Sequence, residues 1–214
     1  MFTDRVDAGR RLAARLAGRD FANGLVVAIP RGGVVVGAEV ARALKLPLDV
    51  IIPRKIGAPH NPELAIGAVT QDGTAIFNEV LLRQFYISEE TLSRLVKAAV
   101  SETRRRLVVY RGNRPEPCWS DRTIILTDDG IATGYTVLAA LRSLQRAAPK
   151  EIILAVPVAS PDAVEFLEPE VDELVCLLVP EVFLAVGQFY YYFDQTSDEE
   201  VIALLEELGE KEKK

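Results

Sequence analysis

Two short apolar runs, residues 25–29 and 48–52, enclose a segment in which Val36, Val40, Ala41 and Leu44 return at helical spacing. This strand, helix and strand constrain the chain more than any other feature. Two strands joined by a helical crossover lie parallel in one sheet, with a right-handed connection. The pattern resumes past the middle of the chain. Residues 123–126 read as a strand followed by a helix through Val137, Leu138, Leu141 and Leu144, and strands over 151–156 and 173–178 bracket a helix opening after Ser160 and Pro161. The expectation is an α/β fold: an open, mainly parallel twisted sheet flanked by helices, with an inserted hairpin.

The remaining segments are read around that sheet. Asp4 caps a first helix carrying Val6, Leu12, Ala13 and Leu16 and ending near Gly18. Residues 53–62 are proline-rich, and runs at 64–70 and 74–77 flank Gln71, Asp72 and Gly73, a hairpin signature. A helix follows over 88–107, with Arg104, Arg105 and Arg106 near the end where cations suit the helix dipole. A last amphipathic helix spans 197–208. At 214 residues, 49% of them apolar, the chain is long enough for one core plus a small flap. A single domain over 1–214 is expected, with a flexible loop and hairpin at about 54–78 and a hood and helix at about 180–208.

Asp and Glu number 31 against 25 Lys and Arg. No overall positive field is present to hold a nucleic-acid backbone, so no nucleic-acid partner is expected. Cys118 and Cys176 are too few for a disulfide framework or a zinc cage. The first residues lack the apolar stretch of a signal peptide, and no run approaches the roughly 20 apolar residues of a membrane span. A soluble cytoplasmic protein with no membrane partner is expected.

In open α/β sheets ligands bind beyond the carboxyl ends of the strands, which makes the turns there the candidate site walls. The turn after residues 123–126 is the most informative. Asp128 and Asp129 are followed by Gly130, Ile131, Ala132, Thr133, Gly134, Tyr135 and Thr136, which open the next helix. Small residues permit a tight loop whose N–H groups, with the Thr133 and Thr136 hydroxyls and the helix N-terminus, suit a dianionic phosphate. The carboxylates repel phosphate, but they accept hydrogen bonds from vicinal sugar hydroxyls and hold a divalent cation through water. A ribose 5-phosphate satisfies both halves.

The segment TIILTDDGIATGYT resembles the PRPP-binding motif of the type I phosphoribosyltransferases. The resemblance runs from about residue 25 to 178 and implies that fold. It implies that Asp128 and Asp129 hold the ribose hydroxyls, and Mg²⁺ through PRPP or water, while Ile131 to Thr136 bind the 5′-phosphate. Pro30, Arg31, Gly32 and Gly33 resemble the family's pyrophosphate loop. Pro53, Arg54 and Lys55 resemble the basic step of the adenine-type members, ahead of a loop over 58–67 that closes on the site. Arg54 is therefore a catalytic candidate beside the two aspartates, and Glu63 a candidate for proton transfer. The implied activity is transfer of the phosphoribosyl group of PRPP to a nitrogenous base or related small nucleophile, with pyrophosphate released, in nucleotide salvage and as a homodimer. A PRPP-sensing regulator without catalysis and a metal-using ester hydrolase are the alternatives.

The acceptor is less legible. Ala132 stands where the 6-oxopurine branch carries an acidic residue, so an adenine-, uracil- or orotate-like motif is closer. Tyr135 departs from the commoner Gly, Ala or Lys and either crowds the phosphate or points outward. Residues 182–193 are the candidate hood, with Phe189 and Tyr190 able to stack on a base and Gln188 to read its edge; core packing or a dimer contact fits the stretch equally. His60, the only histidine, reads as an exposed loop residue.

Overall fold

The computed structural model describes residues 1–112, 114 and 117–210, with only the backbone of residues 62 and 63. In chain order, α1 (Arg5–Leu16) precedes β1 (Leu25–Ala28), α2 (Gly32–Leu44) and β2 (Leu48–Val50). A three-stranded insert follows: β3 (Arg54–Ala58), β4 (Asn61–Val69) and β5 (Ala75–Phe77). Next come α3 (Glu79–Gln84) and α4 (Glu89–Arg111). The second half runs β6 (Thr123–Thr127), α5 (Tyr135–Arg146), β7 (Glu151–Val158), α6 (Pro161–Leu167), β8 (Glu173–Leu178) and α7 (Asp198–Leu208).

The main sheet has the order β2-β1-β6-β7-β8 and every pairing in it is parallel. β1, β2, β6 and nearly all of β7 are buried on both faces, which is why they read as apolar runs rather than alternating ones, while the edge strand β8 is half-buried. Val26, Ala28, Ile125, Ile153 and Ala155 face α1, α2 and α7. Leu25, Val27, Ile124, Leu126, Ile152 and Leu154 face α5 and α6. The two-residue period of each strand thus builds two cores from one sheet.

Residues 53–62, expected as an irregular connection, contain β3. Its pairing with β4, Arg54 opposite Val69, supplies the order that the local sequence lacks, and two of the prolines fall outside the strand, Pro53 before it and Pro59 in the following turn. The span 58–67 is accordingly the end of β3, a turn and most of β4. The small antiparallel sheet packs Ile56, Ile66 and Val69 against Ala99 of α4, forming a separate core. Helix α4 continues to Arg111, so Arg111 rather than Arg104 to Arg106 occupies the last turn. Arg104 Nε instead donates to the Gln71 carbonyl at 2.9 Å, tying α4 to the hairpin turn.

The start of the chain pairs with the segment between β8 and α7. Phe2 N–H donates to the Phe189 carbonyl at 2.8 Å, and Tyr191 N–H to the Phe2 carbonyl at 2.9 Å. Phe2, Phe189, Tyr190 and Val158 form a small cluster beside the strand ends. Among the described residues no helix is long and apolar enough to cross a membrane.

Candidate active site

β1 and β6 are neighbours, but the helices that follow them pack on opposite faces of the sheet, which makes their carboxyl ends the switch point where open α/β sheets form a ligand crevice. Pro30 to Gly33 and Asp128 to Thr136 are the turns at that point. They touch directly: a Cβ on Gly33 would lie 2.8 Å from Asp128 Cα, so only a glycine admits the contact. The Pro30–Arg31 peptide is cis. Ser160 supports the second loop from behind, its hydroxyl donating to the Ala132 carbonyl at 2.7 Å. Gly134 has φ +80°, a left-handed conformation that turns the loop into α5.

The helix ends carry the most telling pattern. Asp4, Asn78, Ser88, Ser160 and Ser197 cap α1, α3, α4, α6 and α7 through their side chains. Helices α2 and α5, the two that open at the crevice, have no side-chain cap. An uncapped N-terminus leaves N–H donors and partial positive charge for an anion. The start of α2 lies against the acidic pair, and α5 opens at the far end of the loop that begins with it.

That pair is electrostatically strained. Burial, and then the neighbouring Asp129 charge, push the Asp128 carboxyl well above the ordinary aspartate range, although its Oδ1 accepts from the Asp129 N–H at 2.8 Å. Asp129 is met by Arg5 of α1, whose Nε donates to Oδ2 at 2.7 Å. The Tyr190 hydroxyl donates to the Asp129 carbonyl at 2.6 Å, and burial followed by the Asp129 charge raises its pKa. The order of residues gave no motif for Arg5. Its one local signal is a cation in the first turn of a helix, which the dipole opposes and a tertiary partner must offset.

Of the expected site residues, Gly32, Gly33 and Asp128 to Thr136 come together. Tyr135 turns outward from the loop, its ring 5.4 Å from that of Phe166 on α6. Arg31 points toward α7, with Nη1 3.7 Å from Asp198 Oδ1. Arg54 and Lys55 are not brought to the acidic pair: both are exposed on β3, Arg54 lying 4.0 Å from Glu102 of α4. His60 is exposed in the β3–β4 turn. The Glu63 side chain lies outside the described residues. Gln188, Phe189 and Tyr190, the expected base-facing residues, all make contacts within the protein. Gln188 uses its carboxamide on its own loop, accepting from Leu184 N–H at 3.0 Å and donating to the Val182 carbonyl at 3.2 Å. Phe189 is buried against Phe183, and Tyr190 between Phe2 and Phe193.

A doubly wound parallel sheet with an acidic turn and two helix starts without side-chain caps at its switch point defines an open α/β domain with its candidate site at the carboxyl ends of β1 and β6. The phosphoribosyl transferase domain matches residues 2–194, and the chain belongs to that family. Relatives in two strains of Mycobacterium tuberculosis carry the description "Putative phosphoribosyl transferase" and are 41% identical over 206 residues, 96% of this chain and 46% of theirs. The chain thus spans about half the length of those relatives. A crystal structure of a Thermus thermophilus protein is similar at TM-score 0.83 and 42% identity, over 98% of this chain and 99% of that one. The purine phosphoribosyltransferase of Pyrococcus horikoshii shares the fold at TM-score 0.50 and 15% identity, over 90% of this chain and 91% of its own.

Proposed function

We propose that the protein transfers the 5-phosphoribosyl group of PRPP to a nitrogenous base or related small nucleophile and releases pyrophosphate. The observation that carries this reading is the contact of the uncapped start of α2 with Asp128 and Asp129, at the head of the loop that leads into the uncapped start of α5. PRPP has anionic groups at both ends of a ribose that carries two vicinal hydroxyls. Its 5′-phosphate suits the loop over 131–136, its hydroxyls suit the carboxylates, and its pyrophosphate suits the start of α2.

In this reaction a nitrogen lone pair forms the bond to C1, the C1–O bond breaks with its electrons on pyrophosphate, and the nitrogen's proton passes to water. The protein's contribution is orientation and charge control. Two adjacent carboxylates, one of them pushed upward by burial and then by its neighbour, are a donor set that favours a hard cation held largely by substrate oxygens and water. Mg²⁺ fits, and would supply neutralisation of the pyrophosphate charge. The small sheet of β3 to β5 packs on α4 and α5, and closing of residues 58–67 over PRPP would exclude water.

Incubation with PRPP, Mg²⁺ and a panel of purine and pyrimidine bases tests the reading by pyrophosphate release. Turnover with one base is expected; silence across a broad panel counts against it. One observation favours a second reading: Gln188, Phe189 and Tyr190 serve the protein's own packing. Calorimetric binding of PRPP without turnover would support a PRPP-sensing role.

A further inference from the structure

Arg5 supplies a cation to the site from an element that carries no part of the motif. Three contacts fix its guanidinium. Nε donates to Asp129 Oδ2 at 2.7 Å, Nη1 donates to the Asp194 carbonyl at 2.7 Å, and Cζ lies 3.9 Å from the centre of the Phe193 ring. It also lies against the turn after β1: a Cβ on Gly32 would fall 2.5 Å from Arg5 Nε. Nη2 has no hydrogen-bond partner among the described residues, although the side chain is only 12% exposed. A fixed guanidinium with one uncommitted corner therefore stands beside the uncapped start of α2. Arg31, the cation that the turn itself supplies, is directed to Asp198 instead.

We propose that Arg5, rather than Arg31, receives the pyrophosphate of PRPP, its Nη2 corner and the first amides of α2 taking the charge while Nε holds Asp129 in place. The inference rests on the phosphoribosyl-transfer reading. As the C1–O bond breaks, its electron pair stays on pyrophosphate. Arg5 balances that charge without releasing a proton, because a guanidinium stays protonated. Arg31 ties the turn to α7.

Calorimetry in the presence of Mg²⁺, with PRPP, inorganic pyrophosphate and ribose 5-phosphate as probes, tests this on the wild type, Arg5→Gln, Arg5→Lys and Arg31→Gln, with melting curves for each. Arg5→Gln is expected to weaken PRPP and pyrophosphate by about tenfold or more and ribose 5-phosphate by less than about threefold. Arg31→Gln is expected to lose less on pyrophosphate than Arg5→Gln. Equal losses on all three probes would make Arg5 a prop for the fold and overturn the proposal, as would a larger loss in Arg31→Gln. Unchanged PRPP and pyrophosphate binding in Arg5→Gln overturns it while leaving phosphoribosyl transfer standing. Arg5-dependent binding of pyrophosphate without PRPP binding does the reverse, and a wild type that binds none of the probes sinks both. If Arg5→Gln does not fold, Arg5→Lys decides. Its point charge lacks the fork, so pyrophosphate weakens by at least about threefold, and no change overturns the proposal.

Discussion

Asp128 sits between a buried strand end and a second carboxylate, and burial first, then Asp129, hold its pKa up. The folded chain therefore keeps this proton to higher pH than the unfolded chain does. Through that interval the unfolded state binds fewer protons, so stability falls as pH rises from about 3.9 through the folded value. Asp128→Asn is expected to remove the fall, to melt above the wild type at pH 7 and to lose PRPP binding. Calorimetric melting at a series of pH values checks this, and a lower melting temperature at pH 7 argues against it. The acidic turn was legible at this scale, because Asp128 to Thr136, the loop proposed to hold the phosphate, lie in unbroken sequence. Arg5 was not, since its partner Asp129 is distant in sequence and only folding joins them. Gln188 was ambiguous for a related reason: an amide in an aromatic stretch reads the same whether it meets a ligand or its own loop, and here it is bonded within its own loop.

Single turns and helix ends decide the stability of the insert and of α7. Asp72 closes the β4–β5 turn, accepting from the Thr74 N–H at 3.0 Å and from the Thr74 hydroxyl at 2.7 Å. Burial works to raise its pKa, but the hydrogen bonds from Thr70 and Thr74 outweigh it and lower the value. A lowered aspartate stabilises above its unfolded pKa, and that contribution disappears as pH falls through the folded one. Because the residue is exposed, Asp72→Ala is expected to cost only about 1 kcal/mol. Urea midpoints measure the loss, which narrows as the wild type is acidified. In α7, Asp198 accepts from the Tyr110 hydroxyl at 2.6 Å. Burial and this contact push the Tyr110 pKa up to about 12. The unfolded chain loses that proton first, so stability falls from about pH 10 up to the folded value. Tyr110→Phe is expected to cost about 1–2 kcal/mol near neutral pH and to flatten the alkaline decline. An unchanged alkaline profile would show that the contact is not made in solution.

Across the whole molecule, the site is held together by segments from opposite ends of the described chain. Phe2 is 3% exposed, packs 5.3 Å from Tyr190 between ring centres, and pairs with the backbone that carries the tyrosine bonded to Asp129. Phe2→Ala is expected to cost about 3–5 kcal/mol in urea unfolding, and to weaken PRPP binding through the loosened Tyr190. Loss of stability with unchanged PRPP affinity would show that the hood and the site are independent. The sequence by itself determined the parallel sheet, the succession of its strands and helices along the chain and the acidic turn of small residues from Asp128 to Thr136, because each depends on residues close together in the chain. Tertiary structure alone decided that residues 54–58 form a strand, that Arg5 rather than Arg31 meets the acidic pair, and that Gln188 and Tyr190 are engaged within the protein. Those outcomes turn on contacts between distant segments, whose geometry local pattern does not encode.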